Sequence, residues 1–113
     1  MAYKLGKYKL VESEHSIQNT IISYLWMRGY YVQRLNSGKI PMQSLHGQRL
    51  IQLMPPGTPD IMAFKKNELL FIEVKRPGKK PTYLQEEKMK ELETYGARCF
   101  VATSLEDVED YLK

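Results

Sequence analysis

Residues 60–75 read DIMAFKKNELLFIEVK. Two apolar runs, Asp60–Phe64 and Leu69–Lys75, flank the polar stretch Lys65-Lys66-Asn67-Glu68. The pattern predicts a β-hairpin with a short polar turn, Asn67 being able to take a positive φ. Both strands are apolar on both faces, which predicts central strands covered on both sides. With the turn centred between Lys66 and Asn67, Asp60 pairs with Glu73. Directly opposed residues share a face about 5 Å apart. Lys75, two residues beyond Glu73, joins them on that face.

Pro77-Gly78-Lys79-Lys80-Pro81 is a loop, and Thr82 caps a helix to about Tyr95 that Gly96 closes. Ala97–Thr103 reads as a buried strand, and Ser104 caps a last helix over Leu105–Leu112. Toward the N-terminus, residues 36–59 carry four prolines and three glycines and read as irregular, with a short strand at Gln48–Leu53. Tyr30–Leu35 is aromatic and β-branched, hence a strand. Ser13 caps a helix to about Arg28, with Gly29 as its stop. Its inward stripe is Glu14, Ile17, Ile21 and Leu25. Residues 1–11 read as a basic arm or short strand. The resulting order, α-β-(β)-β-β-α-β-α, predicts an α/β fold: a mixed β-sheet with helices on both faces.

All of this fits one domain over residues 1–113. No apolar stretch is long enough to span a bilayer, and Lys4, Lys7 and Lys9 precede Glu12-Ser13-Glu14-His15 rather than the apolar core of a signal peptide. Cys99 is the sole cysteine, which excludes a disulfide framework and a multi-cysteine zinc site and points to a reducing, cytoplasmic setting. The formal net charge is +4, and it is unevenly placed. Residues 1–85 hold 13 Lys/Arg against 5 Asp/Glu, and no acidic residue lies between Glu14 and Asp60. A polyanion is a fitting partner for such a surface.

Two carboxylates facing each other in an apolar sheet repel and lose hydration. A divalent cation or Lys75 compensates. Carboxylate oxygens completed by water and phosphate suit Mg²⁺ or Mn²⁺. A cation on Asp60 and Glu73 would polarise a phosphodiester and acidify a water, with Lys75 orienting that water or stabilising developing charge. Glu14 supplies a third carboxylate from the first turn of the first helix.

Pro59-Asp60, then twelve residues, then Glu73-Val74-Lys75 resembles the PD-(D/E)xK nuclease signature. More narrowly, the chain is similar to the VRR-NUC family. Glu14, Arg34-Leu35-Asn36-Ser37-Gly38, Gly57-Thr58-Pro59-Asp60, Glu73-Val74-Lys75-Arg76-Pro77, Gln85, Leu92 and Gly96 carry that resemblance over about residues 12–103. It implies a restriction-endonuclease-like sheet and a metal-dependent endonuclease acting on DNA. Asp60, Glu73 and the Val74 backbone carbonyl are then metal ligands. Lys75 is catalytic, and Glu14 supports the metal directly or through water. Large eukaryotic relatives act on branched DNA, and small stand-alone versions occur in phages, some resembling Holliday-junction resolvases that work as dimers. By this likeness the chain is a stand-alone, phage or bacterial type enzyme of the cytoplasm, structure-selective and homodimeric. A non-selective or nicking duplex nuclease, and a DNA-binding module without cleavage, are the alternatives.

Other residues keep two readings. Gln85 belongs either to a Thr82–Gln85 capping box or to the active site. Arg34, Asn36, Lys39, Arg76, Lys79 and Lys80 are DNA-backbone contacts or solvated loop residues. His15 reads as a helix-surface residue, Cys99 as packing, and Trp26 and the tyrosines as core or interface.

Overall fold

The computed structural model describes residues 12–35, 39–52 and 54–113. The predicted arm at residues 1–11, Asn36 and Leu53 lie outside them. Among the described residues, three helices and six strands follow in the order α1 (Glu14–Met27), β1 (Tyr31–Arg34), β2 (Lys39–Ser44), β3 (Gly47–Gln52), β4 (Ile61–Lys65), β5 (Glu68–Val74), α2 (Tyr83–Thr94), β6 (Arg98–Ala102) and α3 (Leu105–Tyr111). Four strands form the main sheet, ordered β1-β4-β5-β6; among the described residues β2 and β3 pair only with each other. β1, β4 and β5 are antiparallel neighbours, whereas β6 runs parallel to β5 because α2 carries the chain back across the sheet.

The predicted hairpin register holds, Ile61 pairing with Ile72 and Lys65 with Glu68. Its turn differs in one respect: Lys66, at φ 50°, takes the positive φ rather than Asn67.

The core lies on one side of this sheet. Ile17, Ile21 and Leu25 of α1 pack with Val32, Ile61, Ala63, Leu70, Ile72, Val74, Ala102 and Val108. That is the stripe predicted for α1, ended by Arg28 and by Gly29 at φ 89°. α3 joins α1 on this side, and α2 packs against β6. Helices therefore flank both faces, but α2 does not pack broadly on β4. Phe64 is 41% exposed, so β4 is central yet not buried on both sides as its composition suggests. β6 is likewise an edge strand, with Ala102 its one buried residue. Trp26, Tyr83 and Tyr95 are exposed, while Tyr30 sits in the core.

The segment read as irregular holds the largest departure. Residues 39–52 form a complete antiparallel hairpin, Ile40 pairing with Ile51 and Met42 with Arg49. Pro41 obscured β2, since proline argues against a strand within a sheet. In a two-stranded ribbon both strands are edges, where a missing N–H is tolerated.

Candidate active site

Four segments converge at the end of the sheet where β4 begins and β5 ends. Asp60 sits in a bend one residue before β4, its N–H donating to the Ile72 carbonyl at 3.1 Å. The ideal cross-strand pair with Glu73 is thus not completed by the ladder itself. Instead the Asp60 carboxylate turns along the strand end, its Oδ2 accepting from Val74 N–H at 2.8 Å. Glu73 is 3% exposed, and its Oε1 has no hydrogen-bond partner among the described residues. Lys75 Nζ lies 3.7 Å from Glu73 Oε2 and is itself mostly buried. Lys75 N–H donates to the Ala102 carbonyl at 3.0 Å, fixing its backbone to β6.

The electrostatics follow from this burial. Desolvation and then the neighbouring Asp60 charge push the Glu73 carboxyl up to about 8, against a pull from Lys75. Desolvation also raises Asp60, against the hydrogen bond from Val74. A buried carboxyl that resists ionising, with one oxygen unpartnered, has the character of an incomplete cation site. Asp60 and Glu73 offer hard oxygen donors, the type that suits Mg²⁺ or Mn²⁺.

Glu14 reaches this end from α1. Its place one turn before Ile17 brings its carboxylate to the exit of β5, where Oε2 accepts from Arg76 N–H at 3.3 Å. Its charge raises both Asp60 and Glu73. Among the described residues, no three His, Cys, Asp or Glu side chains are grouped closely enough to hold a metal by themselves. Two carboxylates, with backbone and solvent oxygens, are what the site offers.

The loop into Asp60 is shaped by Gly57, at φ 85°. A Cβ there would stand 2.7 Å from the Leu84 carbonyl oxygen, so only glycine lets this loop lie on the first turn of α2. Thr58 locks the same loop, its Oγ1 donating to the Pro55 carbonyl at 2.6 Å. Gln85 therefore sits next to the segment that aims Asp60. Its side-chain oxygen accepts from Thr82 N–H at 2.9 Å, which completes the capping box.

The model of the archaeal Holliday junction resolvase (Hjc) family matches residues 15–109. The chain belongs to this family. A solved structure described as a VRR_NUC domain shares 24% sequence identity with it, at a TM-score of 0.63, covering 88% of this chain and 92% of that one. That likeness is one of fold, and it bears out the mixed restriction-endonuclease-like sheet. No curated protein matches the chain. Family and fold together make this Hjc-family chain a nuclease of the PD-(D/E)xK kind.

Around the carboxylates of this Hjc-family chain, sequence reasoning missed two supports. Arg34 Nε donates to Gln18 Oε1 at 2.9 Å, and its Nη2 donates to Asn19 Oδ1. Two amide oxygens hold the guanidinium without cancelling its charge. No local pattern marks Gln18 and Asn19, which lie a helix and a turn away in sequence. Arg76, Lys79 and Lys80 are exposed beyond β5, and Lys39 opens β2. His15 is exposed on α1. Burial pushes the Cys99 thiol up to about 11, which leaves it inert at neutral pH. A depression of about 830 Å³ lies at the opposite end of the sheet, near Gly29, Lys65, Glu68 and Arg98. Glu68 there is tied up by Arg98 at 2.8 Å and by the Tyr30 hydroxyl at 2.9 Å, so that place offers no comparable unpartnered group. No described helix is long and apolar enough to cross a membrane.

Proposed function

We propose that this chain is a Mg²⁺- or Mn²⁺-dependent endodeoxyribonuclease that cuts branched DNA. The observation that carries the reading is the buried Glu73, Oε1 unpartnered, beside Asp60 and Lys75 in a chain of a resolvase family. Asp60, Glu73 and the Val74 carbonyl would hold the cation, and Glu14 would act on it through water. A bound cation of this class supplies Lewis acidity to a phosphoryl oxygen and lowers the pKa of water. Lys75 places an ammonium beside the same centre, where it stabilises developing negative charge. Arg34, held by neutral amides, keeps its charge for a DNA phosphate. Arg76, Lys79 and Lys80 would extend that track, and the Gln85 amide N–H₂ group would donate to phosphate or water.

Cleavage is expected in Mg²⁺ or Mn²⁺ and not in EDTA, with Ca²⁺ supporting binding far better than turnover. One gel comparing a four-way junction, a flap, a nicked duplex and a linear duplex checks both parts of the reading. Full activity in EDTA overturns the metal dependence. Equal cutting of all four substrates makes it a non-selective duplex nuclease. Binding without cleavage in either metal makes it a binding module.

Symmetric cutting of a junction needs two active sites, and an isologous dimer supplies them. The exposed rings of Trp26, Tyr31 and Phe64 suit that contact. They form one cluster at the β1 edge, with centroids 5.6 Å and 5.4 Å apart. Light scattering is expected to report about twice 13.2 kDa, falling to the single-chain mass in Phe64→Glu. A wild-type monomer that makes uncoupled nicks would remove the resolvase reading and leave the nuclease chemistry intact.

A further inference from the structure

The β2–β3 hairpin stands apart from the main sheet. It is a ribbon of six residue pairs, about 20 Å long. It leaves the main sheet after Leu35, whose N–H donates to the Asp60 carbonyl at 2.7 Å, and returns at Asp60 itself. Its root is therefore stapled to the proposed metal site. Among the described residues, neither of its strands packs broadly on another helix or strand. A lone two-stranded hairpin is marginal in water, so a partner is expected.

Two features identify the partner's chemistry. Residues 36–59 contain Lys39, His46 and Arg49 and no Asp or Glu. A polyanion complements this local excess of positive charge. The tip is not purely polar, as turn tips usually are: Leu45 stands there fully exposed.

We infer that this hairpin reads the DNA branch, its ribbon lying in a groove beside the cut strand and Leu45 pressing as an apolar wedge on the base pair exposed at the branch point. The inference rests on the DNA-nuclease reading above. The major groove of B-DNA admits a two-stranded ribbon. Apolar side chains, leucine among them, wedge between base steps and pay for unstacking them. At a branch the stack is already broken, so the wedge gains contact without that cost. On a linear duplex it does not. The difference favours branched DNA through Leu45 alone, with no base sequence read.

Leu45→Ala and Leu45→Met in the full chain test this. Binding is measured in Ca²⁺ and single-turnover cleavage in Mg²⁺, on a four-way junction and a linear duplex of the same sequence, with the mass in solution followed by light scattering. Leu45→Ala is expected to weaken junction binding roughly tenfold or more while duplex binding changes less than about twofold. Leu45→Met, which keeps the tip apolar, is expected to stay near wild type. Equal loss on both substrates, or no loss on the junction, overturns the wedge. Conversion of a dimer to a monomer by Leu45→Ala makes the hairpin a contact between copies instead, and also overturns it. Wild-type protein that neither binds nor cuts either DNA overturns the nuclease reading, and the wedge falls with it.

Discussion

Lys75→Ala is expected to lose cleavage by a factor of roughly a hundred to a thousand while leaving fold, cation binding and DNA binding largely in place. The structural reason is a division of labour along two residues. Glu73 offers oxygen atoms to a cation; Lys75 offers none, only a charge 3.7 Å from Glu73 Oε2. A charge preorganised in a water-poor site acts most on what develops in the transition state. Its removal therefore appears in turnover and much less in ground-state affinity. The strand survives the change, because Lys75 is held to β6 by its backbone N–H on the Ala102 carbonyl, which alanine keeps. Asp60→Ala behaves differently and loses cation binding as well. Single-turnover cleavage in Mg²⁺, with junction binding in Ca²⁺ measured in parallel, separates the two. Near-wild-type turnover in Lys75→Ala would show that the Glu73-Val74-Lys75 strand is not the catalytic one.

The parts of this fold that were legible are those where one local pattern decides one outcome. The α1 stripe at Ile17, Ile21 and Leu25 is legible because a 3.6-residue period admits a single inward face. The β4–β5 register is legible because a two-residue turn leaves no freedom, and it carries Asp60 toward Glu73. Where several local choices were open, the sequence was a poorer guide. Two turn positions are open to a positive φ, and it falls at Lys66 rather than at Asn67. The covering of β4 was misjudged because composition tells that a strand is apolar on both faces, not that α2 is drawn aside to β6. β2 was missed because proline is a warning only inside a wide sheet. Among the candidate site residues, Asp60, Glu73 and Lys75 follow from the hairpin, and Glu14 from the α1 stripe. Gln18 and Asn19 could not be read at all: their partner, Arg34, lies 16 and 15 residues away in sequence and is found only by folding.

The burial of Glu73 also sets how the protein responds to pH when no cation is supplied. Its carboxyl is raised from an ordinary value of 4.5 to about 8 in the folded chain. Between those values the unfolded chain has released the proton and the folded chain still binds it. Stability therefore falls as pH rises through that window, and the loss is complete above about 8. Asp60, raised as well, contributes in the same direction. The carboxylate must be ionised to bind a metal, so a divalent cation stabilises most at the alkaline end and flattens the profile. Glu73→Gln keeps the shape, cannot ionise and binds the cation poorly. In EDTA at about pH 9 it is expected to melt higher than wild type, by on the order of 10 °C if a few kcal/mol are recovered, with little difference at about pH 4. Added Mg²⁺ is expected to raise the melting temperature of wild type and leave the variant where it was. The variant is thus more stable than wild type without metal and inactive with it, which is the signature of a buried group kept for binding and catalysis rather than for folding. Thermal scans of both proteins in EDTA and in Mg²⁺ across this pH range check the argument. A wild-type melting temperature in EDTA that stays level with the variant's at alkaline pH would sink it, as would an equal response of both proteins to Mg²⁺.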